Sequence, residues 1–190
     1  MKQIHLVNFH HKIPKGAVVV NTTSRSTNWS KGLSPFFLGP VKLYGNYTAK
    51  VVENGWQYTK LFSEYSDQEG NPTEKYFEWA QAGWNNPIAV RYPMGKGVKP
   101  LYSYWDGEKL PYVEARKRIY IPLYSQAVAK TDAYKELKEL WESLDEDLYL
   151  QDYDSYQYRH FDMTYYDVMN DPVKKMGHAF VLAMMLENII

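Results

Sequence analysis

The chain has 190 residues, 45% of them apolar, with 18 Tyr and 6 Trp, which is enough to bury a substantial single core and favours one domain. Its 22 basic and 22 acidic side chains cancel, so no long-range field exists for gripping duplex phosphates or an anionic membrane, although a local basic groove is still allowed. Zero cysteines exclude disulfides, thiolate metal sites and a cysteine nucleophile. They fit a reducing cytosol, and the start Met1-Lys2-Gln3-Ile4-His5 has no long apolar run, so neither a signal peptide nor a transmembrane segment is expected. The expectation is a soluble cytoplasmic protein.

Residues 3–8 and 17–21 read as short strands, the second preceded by the turn Pro14-Lys15-Gly16. The polar run from Asn21 to Leu33, with Arg25 and Trp29, either clasps a phosphate or is simply solvated. Ser34 to Leu43 is apolar and broken by proline, so it should cross the core as extended chain. A helix is expected from Tyr47 or Thr48 to a point before Asp67–Asn71, and a second from an Asn71 cap and Pro72 to about Asn85, with Glu74 closing a capping box.

The segment Pro87 to Pro111 lacks a clear period, and its length suggests a functional loop. Gly95-Lys96-Gly97 within it matches no phosphate-loop fingerprint. From Tyr112 to about Ser143 the pattern is helical, interrupted at Pro122 and recapped by Thr131 and Asp132. Leu148 to Asp154 reads as a strand that places Asp152 and Asp154 on one face. Thr164 caps a short helix, and Asn170-Asp171-Pro172 starts the last one, whose Met176 to Leu186 is apolar nearly all round and so forms a buried centre.

The most informative stretch is Val51 to Lys60. On a 3.6-residue period Glu53, Trp56, Gln57 and Lys60 share one face, which either lines a polar pocket or is the solvated face of an ordinary amphipathic helix. The histidines lack metal-site spacing, no Gly-x-Ser-x-Gly elbow is present, and His178 on the most apolar helix reads as a satisfied core residue. Carboxylates offer more. Glycosidic cleavage needs an acidic group beside the sugar carbon that becomes positive, and Glu53 with Asp152 or Asp154 could supply it. Lys60, Arg91 and Arg116 could hold phosphates, and Trp56 or Trp105 could stack on a base.

The order Ser34-Pro35-Phe36, Val52-Glu53-Asn54-Gly55-Trp56-Gln57-Tyr58-Thr59-Lys60, Trp105-Asp106, Arg116-Lys117, Leu150-Gln151-Asp152 and Met176 to Met184 resembles the NADAR domain of the YbiA-like N-glycosidases. The resemblance spans 28–190, residues 1–27 being N-terminal strands and polar loop. It implies a compact, predominantly helical α+β domain with a few short strands. The implied activity is hydrolysis of the N-glycosidic bond of an ADP-ribose-like or ribosyl-phosphate compound, such as ADP-ribosyl-guanine, with no cofactor and no metal. By the same resemblance Glu53 and Asp152 are catalytic, and Ser34, Phe36, Trp56, Gln57, Lys60, Arg91, Trp105, Asp106 and Arg116 bind the ligand. Asn54 stands where that family usually has histidine. A non-catalytic protein that sequesters such a nucleotide, or an accessory factor that docks a protein, also fits the residues. The Tyr-rich style is similar to that of small accessory proteins of large tailed phages, which would place the chain in a host cytoplasm.

Overall fold

The computed structural model describes residues 2–190. In chain order the elements are β1 (Ile4–Val7), β2 (Val18–Asn21), a 3-10 helix (Trp29–Leu33), β3 (Val41–Lys42), β4 (Thr48–Ala49), α1 (Val52–Gln57), β5 (Lys60–Leu61) and α2 (Glu74–Trp84). There follow β6 (Tyr102–Trp105), β7 (Glu108–Leu110), α3 (Tyr112–Ala115), a π turn (Arg116–Tyr120), α4 (Ile121–Val128), α5 (Asp132–Ser143), β8 (Leu148–Gln151), α6 (Tyr165–Asn170) and α7 (His178–Leu186). The chain forms two compact units, one from the described residues through Ser34 together with Tyr124–Ile190, the other from Pro35–Leu123.

In the first unit β8 lies between β1 and β2 and runs parallel to both. Alternation along these strands puts Ile4, Leu6, Val20, Leu148 and Leu150 in the core, while His5 stacks on Tyr149 with ring centroids 4.6 Å apart. The helix packed on β1 and β8 is α7, and burial of Ala179 to Met184 at 0–1% exposure makes it the centre of this unit. An all-round apolar helix needs such enclosure, as its sequence indicates.

In the second unit β5, β6 and β7 form an antiparallel sheet, and β3 pairs with β4. The β6–β7 turn is Asp106-Gly107, both at positive φ, which matches a two-residue hairpin turn. Tyr44, Tyr47, Trp84, Tyr104 and Trp105 pack ring on ring, Trp79 is packed by Tyr58, Phe62 and Tyr65, and Tyr76, against both Trp79 and Tyr104, joins the two groups. The aromatic excess is thus largely packing.

Several sequence expectations are corrected. The architecture is α+β, but only 39% of the chain is helical, so it is not predominantly so. The helix expected from Tyr47 is the six-residue α1, because Thr48-Ala49 and Lys60-Leu61 pair as strands. Asn71 and Pro72 lie outside α2, whose cap is Thr73. Pro87 to Pro111 contains a hairpin, and Ser34 to Leu43 opens with a turn over residues 35–37 that leaves Phe37 exposed and is extended as a strand only at Val41-Lys42. Helical structure continues through Pro122, since the turn before it widens to π geometry, where the usual clash with an upstream carbonyl is relieved. The strand ends at Gln151, just short of Asp152, and the last helix starts at His178. The caps at Thr131 and Thr164 form as read: Thr131 Oγ1 accepts the Tyr134 N–H, and Thr164 with Asp167 closes a capping box.

Candidate active site

Six buried residues make up α1, and its cap residue Val51 makes no side-chain hydrogen bond. Two orphan N–H groups are satisfied instead by the preceding segment: Val52 N–H donates to the Leu38 carbonyl at 2.8 Å and Glu53 N–H to the Pro35 carbonyl at 3.0 Å. Gly55 lies against Ala49 and Leu43, where a Cβ would be 3.3 Å from each. So short a helix, marginal alone, is held by these tertiary contacts.

One carboxylate, one amide and one ammonium are joined in series on this frame. Gln57 Nε2 donates to Glu53 Oε1 at 2.9 Å, and Lys60 Nζ donates to Gln57 Oε1 at 2.7 Å. The Lys60 ammonium also sits 4.9 Å from the Trp56 ring centroid, and Trp56 packs against Tyr120 at 5.3 Å. Glu53, Trp56 and Gln57 are 6–8% exposed and Lys60 is half-buried. Lys60 lies on β5, beyond the helix, yet folds back to the same cluster. A carboxylate tied through an amide to a cation keeps its acceptor role while the cation is oriented, and the low-dielectric setting strengthens both interactions.

Asn54, buried completely, has a different task. Its Nδ2 donates to the Asn86 and Ile88 carbonyls at 3.0 and 2.9 Å, and its Oδ1 accepts the Val90 N–H at 2.8 Å. Asn54 therefore clamps residues 86–90, directly before Arg91, to the helix that carries Glu53. Sequence reasoning named Asn54 only as a departure from the resembled family and gave it no role; its neighbours Glu53 and Gln57 are polar too, so no local pattern singled it out. Tyr76 was missed too: its hydroxyl donates to the Tyr58 and Thr59 carbonyls at 3.2 and 3.0 Å and fixes the chain between α1 and β5.

Other expected residues have other neighbours. The Arg116 guanidinium, 2% exposed, lies 4.6 Å from the Tyr112 ring centroid and sits on the π turn, a feature often found at functional sites. Arg91 lies over Tyr92 at 5.4 Å. Trp105 packs on Tyr44 at 5.0 Å, and Asp106 occupies the exposed hairpin turn. Phe36 is half-buried in the segment that covers the start of α1.

Ser34 and Asp152 fall in the first unit. The Ser34 N–H closes the 3-10 helix on the Lys31 carbonyl. Asp152 Oδ2 lies 3.2 Å from His178 Nδ1 and 3.5 Å from the Ala179 nitrogen, while His178 Nε2 donates to the Thr22 carbonyl at 2.8 Å. A Cβ on Gly177 would lie 2.0 Å from Asp152 Oδ2, so glycine there permits the carboxylate to reach the start of α7. These contacts make Asp152 an anchor of that helix and make His178 the satisfied core histidine its surroundings suggest.

Among the described residues no group of three or more His, Asp or Glu is placed to hold a metal ion, and no helix is long and apolar enough to cross a membrane. Residues 1–164 match the family described as "Family of unknown function (DUF6939)", and the chain belongs to that family. No curated protein and no solved structure matches it.

Proposed function

We propose that the chain is a NADAR-like N-glycosidase acting on an ADP-ribose-like or ribosyl-phosphate compound. The observation that carries the reading is the buried series Glu53–Gln57–Lys60 beside the Trp56 indole. Hydrolysis breaks the bond between ribose C1′ and the base nitrogen, whose electron pair leaves with the base. The oxygen of water bonds to C1′, and the proton lost from that water ends on the departing nitrogen. Glu53 stabilises the positive charge that develops on the sugar and takes the water proton as the oxygen adds. Lys60, oriented by Gln57, holds a phosphate of the same substrate, with Arg91 and Arg116 as further cations. Trp56 supplies a flat surface for the base.

Purified protein incubated with ADP-ribosylated guanine DNA, free ADP-ribose, NAD and riboflavin-pathway ribosyl phosphates, and analysed by mass spectrometry, tests the reading. Cleavage of at least one of them is expected: free ADP-ribose and unmodified guanine from the DNA, or a free base from the small molecules. A melting temperature raised by ADP-ribose with no product from any substrate assigns a binding protein instead.

A further inference from the structure

We infer that the C-terminal edge of the parallel sheet forms a separate site for a nucleoside monophosphate. The strands β1, β8 and β2 run in one direction, so the segments that follow Val7, Gln151 and Asn21 emerge at one edge. From the first come Asn8, Phe9 and His10, from the second Tyr153, and from the third Arg25. These five residues line one cleft of about 320 Å³. That edge is where ligands of parallel α/β sheets bind, and the volume lies at the small-molecule end of the usual range, suited to one nucleotide rather than two.

The chemistry of the lining selects the occupant. Phe9 and Tyr153 pack with ring centroids 4.8 Å apart and remain 38% and 42% exposed, so they give a wall of aromatic surface on which a base can stack. The Arg25 guanidinium lies 5.7 Å from the Tyr153 centroid, and His10 is exposed on the same cleft. A cation above a stacking ring fits a ligand that is flat at one end and anionic at the other. Asn8 Oδ1 is taken by the His10 N–H at 3.0 Å, which leaves its amide N–H₂ as the donor it can offer a base or ribose.

The frame is fixed before any ligand arrives. Asn21 Oδ1 accepts from the Thr23 N–H and hydroxyl, Thr23 Oγ1 accepts the Arg25 N–H, and Ser26 pairs with Ser30 at 2.7 Å. The polar run that read as either phosphate-clasping or solvated is thus an ordered loop that presents Arg25.

The site involves none of the residues assigned to glycosidic cleavage, so the two readings fail separately. Titration of the isotopically labelled full-length protein with AMP, followed by amide NMR, should shift Asn8, Phe9, His10, Arg25 and Tyr153. Tyr153→Ala and Arg25→Gln alter exposed side chains, so their spectra should stay dispersed, and each should weaken AMP about tenfold or more. Adenosine and inorganic phosphate, each alone, should bind at least about tenfold more weakly than AMP, since each meets half of the site. Glu53→Gln should bind AMP at this cleft as the parent does. Shifts confined to residues 53–60, unaltered affinity in Tyr153→Ala, or phosphate binding as tight as AMP would overturn the assignment.

Discussion

Asn54 offers the sharpest test of how the site is held. Replacing it with alanine removes three hydrogen bonds, to the Asn86 and Ile88 carbonyls and from the Val90 N–H, at a position with no solvent exposure. At roughly 1 kcal/mol net for each bond the loss is about 3 kcal/mol. Ile88 is 72% exposed, so water can reach part of the freed backbone, while the vacated volume adds a cavity cost; about 2–4 kcal/mol is the expected range. In a chain of this size, at about 2–4 °C per kcal/mol, that lowers the melting temperature by about 4–16 °C. Asn54→Asp keeps the shape but turns the donor toward two carbonyls into an acceptor, and should destabilise at least as much. Urea unfolding gives the magnitude, and hydrogen exchange at the Val90 amide shows whether the clamp is the part lost. Stability of Asn54→Asp within about 0.5 kcal/mol of the parent, with unchanged protection at Val90, would refute the argument, because shape alone would then account for the residue.

Gly83 faces the buried Tyr58 ring so closely that a Cβ would lie 2.1 Å from two ring carbons. Gly83→Ala should cost about 1–3 kcal/mol or more in urea unfolding, and much of that should return when Tyr58→Ala is added. Gly177→Ala should push Asp152 from His178, lower the melting temperature, and move the His178 ring resonances in NMR; a variant with parent-like resonances would show that the carboxylate does not need that approach. Burial first, and neighbouring phenols second, raise Tyr76 and Tyr44 well above the ordinary value of 10.0. The unfolded chain therefore releases those protons first: the stability they contribute is complete below about pH 10 and declines as the pH rises through their folded-state range. An ultraviolet titration should show these phenols ionising only together with unfolding, and independent early ionisation of every tyrosine would contradict their burial.

Legibility in the sequence followed the range of the forces involved. The caps at Thr131 and Thr164 act over three residues, and both were readable. So was the Glu53–Gln57–Lys60 series, because spacings of four and three residues bring side chains together even though Lys60 has left the helix. The apolar residues around it suggested a longer helix, and strand pairing of Lys60-Leu61 with Tyr102-Ser103 overrode that local preference. The hairpin turn Asp106-Gly107 carried a strong local signal that the surrounding proline and glycine obscured. Placement of β8 between two strands from the far end of the chain had no local signature at all. The same holds for Asn54, whose partners lie 32 to 36 residues away, and for the cleft built from three separate post-strand segments.

The proposed role of the Glu53 carboxylate in cleaving a ribosyl–base bond is tested by ADP-ribose release from ADP-ribosylated guanine DNA in single turnovers, with the parent or Glu53→Gln in saturating excess over substrate and both proteins shown to be folded. Product from the parent is expected, with a rate about 10²–10⁴-fold lower in the variant, the usual contribution of one acid–base group. Equal rates in the two proteins, or no product from the parent, would contradict it.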